Sequence, residues 1–300
     1  MPSDLNAQFL VQVICTKNFF RSKNLGSKLA EMGIEFETSP GVVPNEIDFH
    51  AGLHHSAFQS KLLLQRKMQI GEVGCALAHR NALINFLNSG HKFGIIFEDD
   101  AEIIGEFNLD SIENTLNSNF PVVIALGWIP GFAIAKTPQN LLSDEPIELI
   151  TSPTCAFAYA INHSAARLLV NEQKKIIDVV DWPIFALKKV KFFAIHSHSP
   201  WVTANHDPIF STIGDRPGAI SISPISVFAR RIRLVSSFLT LIALSIANKL
   251  DASPKQVLHR LLIRDRLYKH GNSQSMEATR NFVIPAPLSI QKLLDILRLI

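Results

Sequence analysis

Cysteine is scarce in this 300-residue chain: Cys15, Cys75 and Cys155 stand far apart, and no C-x-x-C pair occurs. That spacing argues against a zinc knuckle or a dithiol redox motif. The low, odd count suits a reducing compartment. A long apolar run is also missing, since no stretch reaches the roughly 20 uninterrupted apolar residues of a transmembrane helix. The opening MPSDLNAQFLVQVICTKN has no basic start and no cleavage site, so no secretory signal is expected. There is no G-x-x-x-x-G-K-[ST] loop, which argues against a P-loop phosphoryl or nucleotidyl transferase. Internal repeats are absent. Charged residues make up only 18% against 47% hydrophobic, the balance of a folded chain with room for one large α/β domain and an appendage.

The net charge of +3 hides an asymmetry. Residues 224–300 hold 12 Lys and Arg against 4 Asp and Glu, a net of +8, which leaves −5 for residues 1–223. An acidic body with a basic tail is not the pattern of a nucleic-acid enzyme, whose basic residues line the cleft. The tail is also rich in Leu and Ile. Arg230, Arg231 and Arg233 precede a mainly apolar run over 234–247, and KLLDILRLI closes the chain. Such a segment suits a helix lying on an anionic membrane surface, or one packed on the preceding domain. Two regions are expected, a domain over 1–223 and a basic amphipathic helical region over 224–300. The expected location is the cytoplasm, peripheral on an anionic membrane surface.

The chemistry concentrates in residues 71–102, GEVGCALAHRNALINFLNSGHKFGIIFEDDAE. Cys75, Ala78, Ala82, Leu83, Phe86 and Leu87 recur on one helical face, and Asn88, Ser89 and Gly90 supply the stop. Residues 93–97 form an apolar strand that ends abruptly in Glu98, Asp99 and Asp100. Three adjacent carboxylates are costly to bury unpaired. They belong in a solvated turn or facing a divalent cation. At the C-terminal end of a strand in an α/β sheet, ligands are the usual occupants. Hard oxygen donors there suit Mn²⁺ or Mg²⁺, which in turn hold phosphates. Glu72 falls in the first helical turn, where it can cap the helix or reach a nucleotide. His79 lies on or beside the apolar face, as a hydrogen-bonded core residue or as a site residue.

Around this block the chain alternates strand and helix. Strands are expected at 9–15, 34–37, 121–127, 154–160 and 192–195. Leu25, Leu29 and Met32 mark a helix closed by Gly33, and 164–171 begins another, capped by Asn162 or Ser164. The β-α-β opening points to a parallel sheet. His54 and His55 read as an exposed pair rather than metal ligands. Residues 130–150 read as loop. A second chemically loaded stretch is DVVDWPIF, where Asp178 and Asp181 flank two valines and Trp182 follows; an acid beside an aromatic suits sugar binding.

GEVGCALAH followed by FGIIFEDDAE resembles the signature of glycosyltransferase family 25, roughly G-E-x-G-C-x-x-S-H, a helix, and a strand ending E-D-D. Gly71, Glu72, Gly74, Cys75, His79, Glu98, Asp99 and Asp100 match, and Ala78 stands where the family has Ser. The resemblance spans about residues 8–216. It implies a GT-A-type, Rossmann-like, mostly parallel α/β sheet, followed here by the helical basic appendage. The implied reaction is inverting transfer of a sugar, galactose from UDP-galactose, onto a lipid-linked oligosaccharide acceptor in lipooligosaccharide or LPS biosynthesis. By the same resemblance Glu98, Asp99 and Asp100 bind Mn²⁺ or Mg²⁺, with a third ligand among His196, His198 and His206. Asp181 is then the base that deprotonates the acceptor hydroxyl. Glu72, His79, Gly127 and Trp182 are candidate substrate contacts, with Leu126-Gly127 echoing the family's Leu-Gly. No nucleic acid is expected as partner. Two alternatives stay open: a catalytically inactive, membrane-associated partner with the same fold, and another metal-dependent nucleotide-handling transferase.

Overall fold

The structure is a computed structural model that describes residues 7–16, 22–43, 47, 55–56, 60, 68–127, 145–149, 153, 156–177, 179–180, 182, 189–195 and 201–204. All of these fall in one compact unit, Met1–Ser60 with Lys67–Arg216. The basic region over 224–300 lies outside the described residues. Among the described residues no helix is long and apolar enough to cross a membrane.

The unit is a seven-stranded mixed sheet with helices on both faces. In chain order come β1 (Phe9–Cys15), α1 (Ser22–Glu31), β2 (Glu37–Pro40), α2 (Ile70–Ser89), β3 (Phe93–Glu98), β4 (Ala101–Ile103) and α3 (Leu109–Leu116). Then follow β5 (Val122–Ala125), β6 (Ile147–Leu149), β7 (Ala158–Asn162), α4 (His163–Glu172), β8 (Lys191–Ala194) and β9 (Val202–Ala204). The order across the sheet is β2-β1-β3-β7-β5-β8-β6, and β4 pairs with β9 in a separate ribbon. Strands β1, β2, β3, β5 and β8 run one way, while β7 and β6 run against them. The expected parallel character therefore holds for the direction of most strands, but β7 interrupts it at the centre of the sheet.

Alternation along β1 explains the layers. Phe9, Val11, Val13 and Cys15 face a core with Leu25 and Leu29 of α1 and Ile112 and Leu116 of α3. Leu10 and Ile14 face the other core, with Ala78, Ala82, Leu83 and Phe86 of α2 and Ala165, Ala166 and Leu169 of α4. One buried polar residue interrupts this second face. Gln12 donates from Nε2 to the Ala82 carbonyl at 2.9 Å and accepts from Asn85 Nδ2 at 2.9 Å, fastening α2 to the sheet. The α2 helix ends at Gly90, in the left-handed region at φ 81°, which a glycine adopts without steric cost.

Several boundaries differ from the sequence reading. The second strand lies at Glu37–Pro40 rather than 34–37, because it is an edge strand with only Ser39 buried and carries little apolar signal. The strand expected at 154–160 runs from Ala158 to Asn162. Within the span read as loop, Ile147–Leu149 forms the edge strand β6. The short β4, β9 and α3 were not anticipated either.

Candidate functional site

The sheet order reverses at β1. Strand β2 lies on one side of it and β3 on the other, both parallel to it, with α1 and α2 packed on opposite faces. The chain leaves β1 toward β2 on one side and leaves β3 toward β5 on the other, so these connections run apart, and such a switch point is where open α/β sheets bind ligands. The register sets Ile14 opposite Glu98, so the acidic turn begins beside the end of β1. Glu98 is the last residue of β3, Asp99 and Asp100 form the turn, and all three are partly buried. The turn is braced from behind. Ala101 of β4 pairs with Ala204 of β9, and the Ile104 and Gly105 N–H groups both donate to the Trp201 carbonyl.

Strand alternation puts Gly94, Ile96 and Glu98 on one face of β3, and Ile96 packs in the core that holds α2. There Glu98 meets two side chains one helical turn apart. His79 Nε2 lies 3.1 Å from Glu98 Oε1, and Cys75 Sγ lies 3.8 Å from the same oxygen. His79 is 1% exposed, and its Nδ1 lies 3.1 Å from the Tyr159 hydroxyl of β7. With His79 Nε2–H donating to the carboxylate, Nδ1 accepts from Tyr159. Burial pushes the Tyr159 phenol well above its usual pKa, and the Glu98 and Cys75 charges add to the effect. The phenol is therefore a neutral donor over the physiological range. Three elements thus converge to fix the carboxylate that opens the acidic turn. Glu98 Oε1 is committed to α2, and Asp100 Oδ1 is buried as well. Glu98 was expected on the cation together with Asp99 and Asp100; its Oε1 is engaged by His79 and Cys75. The adjacent carboxylates of Asp99 and Asp100 offer the hard oxygen donors that suit a Mn²⁺ or Mg²⁺ ion.

The remaining predicted residues are placed as follows. Glu72 is the third residue of α2, where its Oε2 accepts from the Gln69 N–H at 2.9 Å; it is buried and acts as part of a capping box. His79 is enclosed, with both ring nitrogens engaged, and orients Glu98 rather than meeting substrate. Gly74 is required by packing, since a Cβ there would strike the Val42 carbonyl. Gly127 follows β5, and a Cβ there would meet the Phe157 ring and, at 2.7 Å, the Val202 carbonyl. The close approach expected of a ligand at Gly127 is made by the protein itself.

Trp182 was expected to offer its face to a sugar. It is buried instead, edge-on to Tyr159 with ring centroids 5.0 Å apart and to Phe192 at 5.2 Å. Its φ of 63° is a rare conformation for so bulky a residue. Its neighbour Asp181 lies outside the described residues, as do Asp178, His196, His198 and His206. His55 Nδ1 lies 2.9 Å from the Ile176 carbonyl, as a structural residue does.

Tyr159 was not among the residues that the sequence singled out. It is the link between the two chemically loaded stretches, touching His79 on one side and Trp182 on the other. The contact has no local sequence signal, because β7 reaches β3 by a long-range antiparallel pairing. Asn162 was seen as a cap but does more. Its Oδ1 accepts from Ala165 N and Val122 N, and its Nδ2 donates to Phe120 O and Leu116 O. The Cys75–His79 spacing, i to i+4 on a helix, was the available clue that both side chains share a target.

The unit is an α/β fold with helices on both faces of a mostly parallel sheet and three carboxylates at the C-terminal end of β3. The chain belongs to glycosyltransferase family 25, described as LPS biosynthesis protein, whose pattern matches residues 13–184. It is a glycosyltransferase by family, with a sugar donor and an acceptor. Comparison with curated protein sequences finds no match. Among solved structures, A197 from STIV shares 11% identity at a TM-score of 0.35, covering 72% of this chain and 98% of its own. Mannose-1-phosphate geranyltransferase from Thermus thermophilus shares 9% at 0.31, covering 63% of this chain and 74% of its own. Likenesses at these scores carry no argument.

Proposed function

We propose that the chain transfers a hexosyl unit, galactose from UDP-galactose, with inversion, onto a lipid-linked saccharide in LPS assembly, on a GT-A-type fold. One observation supports this beyond family membership. The acidic turn stands at the C-terminal end of β3, at the switch point, with Glu98 held in place from α2 and β7. Asp100, with Asp99, would hold Mn²⁺ or Mg²⁺, and such an ion supplies charge neutralisation for the leaving diphosphate. The chain leaves β9 at Ala204, whose partner Ala101 follows Asp100, and His206 comes two residues later. A further ligand would come from His196, His198 or His206. Asp181 is the proposed base. Its neighbour Trp182 is locked against Tyr159 and Phe192, which would steady the backbone that carries the carboxylate. The basic region over 224–300 would hold the enzyme at an anionic membrane surface facing its lipid-linked acceptor.

The test is transfer of label from radioactive UDP-galactose to lipid-linked saccharides by the full chain. Metal-dependent transfer giving a β-linked product, lost in Asp100→Asn, is the expected result. Transfer from a different sugar nucleotide would correct the donor, and an α-linked product would overturn inversion. Absence of transfer from every sugar nucleotide tried, in a folded chain, would favour the inactive membrane-associated partner.

A further inference from the structure

We propose that Cys75, His79 and Glu98 form a site for a borderline-soft divalent cation, of which zinc is the natural example, separate from the hard oxygen donors of Asp99 and Asp100. The proposal does not depend on the transferase reading. It rests on three different donor types converging from two elements. Cys75 and His79 lie four residues apart on α2, so their side chains stand one above the other on a single face. Glu98 meets them from the end of β3, and one ligand atom from each lies within 4.8 Å of the others.

The separations suit a shared ion. Tetrahedral zinc with a sulfur bond of about 2.3 Å and nitrogen and oxygen bonds of about 2.1 Å sets nitrogen and oxygen about 3.4 Å apart, and sulfur and oxygen about 3.6 Å apart. The observed separations are 3.1 Å for His79 Nε2 to Glu98 Oε1 and 3.8 Å for Cys75 Sγ to Glu98 Oε1. Each differs from the tetrahedral value by a few tenths of an ångström. Both Cys75 and Glu98 are partly exposed, so solvent reaches two of the three ligand residues.

Charge and protons also balance. Binding releases the Cys75 thiol proton to solvent, and the thiolate and the carboxylate together cancel the ion's two positive charges. His79 must offer an unprotonated Nε2, which moves its proton to Nδ1. The partner there is the Tyr159 hydroxyl, which can donate to Nδ1 in the metal-free state and accept from Nδ1–H in the bound state. A ligating histidine whose other nitrogen is held by a fixed partner is the usual arrangement around protein-bound metals. Donor softness separates the two sites. A thiolate and an imidazole select zinc or cobalt over manganese or magnesium, and the paired aspartates do the reverse. Bound there, the ion would tie α2 to the end of β3 directly ahead of the acidic turn.

Cobalt(II) is the probe, added to the chelator-treated full chain. The expected result is one equivalent bound, with a thiolate-to-cobalt charge-transfer band in the near ultraviolet and the intense visible bands of four-coordinate cobalt. Both should be displaced by zinc and persist in excess manganese. Cys75→Ser, a conservative change at a partly exposed position, should abolish the charge-transfer band with the circular dichroism unchanged. Cys15→Ser and Cys155→Ser should retain it. A band that survives in Cys75→Ser, or no band at saturating cobalt in the native chain, would overturn the proposal. Neither result bears on manganese-dependent UDP binding at the aspartates, so the two readings fail separately.

Discussion

Replacing His79 by Leu, a side chain of similar size, removes two interactions and strands one hydroxyl. The bond to the Glu98 carboxylate at 3.1 Å has an ionised acceptor, and such bonds contribute about 1.5–3 kcal/mol. The Tyr159 hydroxyl, in one of the most deeply buried side chains, then lacks its ring-nitrogen acceptor, at a cost of about 1–3 kcal/mol. A loss of about 3–4 kcal/mol follows, or roughly 10 °C in Tm for a unit of this size. The sharper statement concerns coupling. In the native background Tyr159→Phe should cost about 1 kcal/mol, because His79 Nδ1 loses its donor. In the His79→Leu background the same change should be neutral or stabilising, because it removes the stranded hydroxyl. Urea denaturation of the four proteins, free of metal and followed by far-UV circular dichroism, gives the cycle. If Tyr159→Phe costs the same in both backgrounds, the hydrogen-bonded path from β7 to the acidic turn is refuted.

Asn162→Ala should cost about 3 kcal/mol in urea denaturation, since it removes a helix cap and the bonds that hold the α3–β5 connection; Asn162→Asp, which keeps the acceptor, should cost less. Gly74→Ala should destabilise by about 1–3 kcal/mol, because its Cβ would meet backbone at Val42 rather than a side chain that can turn away. The raised pKa of Tyr159 has a defined sign. Below about pH 10 its phenol is neutral in both folded and unfolded chains, and above it only the unfolded chain ionises freely, so stability falls as pH rises through that range. Tyr159→Phe should remove this part of the alkaline loss. Since the chain has two tyrosines, at least half of the phenolate absorbance change should appear only on unfolding; a full change in the folded state would refute it.

Strongly patterned elements were legible in the sequence for physical reasons. Phe9–Cys15 is buried along its whole length and reads as a continuous apolar run. Ala78, Ala82, Leu83 and Phe86 and the stop at Gly90 appear as expected in α2, which also buries Val73, Ala76 and Leu77 on a second face that the pattern did not announce. Elements without a pattern were missed. Glu37–Pro40 is polar at the sheet edge, and Val202–Ala204 is held mainly by pairing with β4. The acidic turn could be located from its strand, but the fates of its three carboxylates could not. They depend on the Ile14–Glu98 register and on β7 arriving antiparallel with Tyr159, which are long-range facts. Trp182 looked like a sugar platform because an acid precedes it, yet tertiary packing turned its ring into the core.

The most direct measurement is calorimetric binding of UDP to the full native chain, with and without Mn²⁺, repeated on Asp100→Asn. Manganese-dependent binding to the native chain that is lost in the variant is the predicted result. Binding that is indifferent to manganese, or equal in Asp100→Asn, would contradict the assignment of the turn after β3 as the donor-binding metal site.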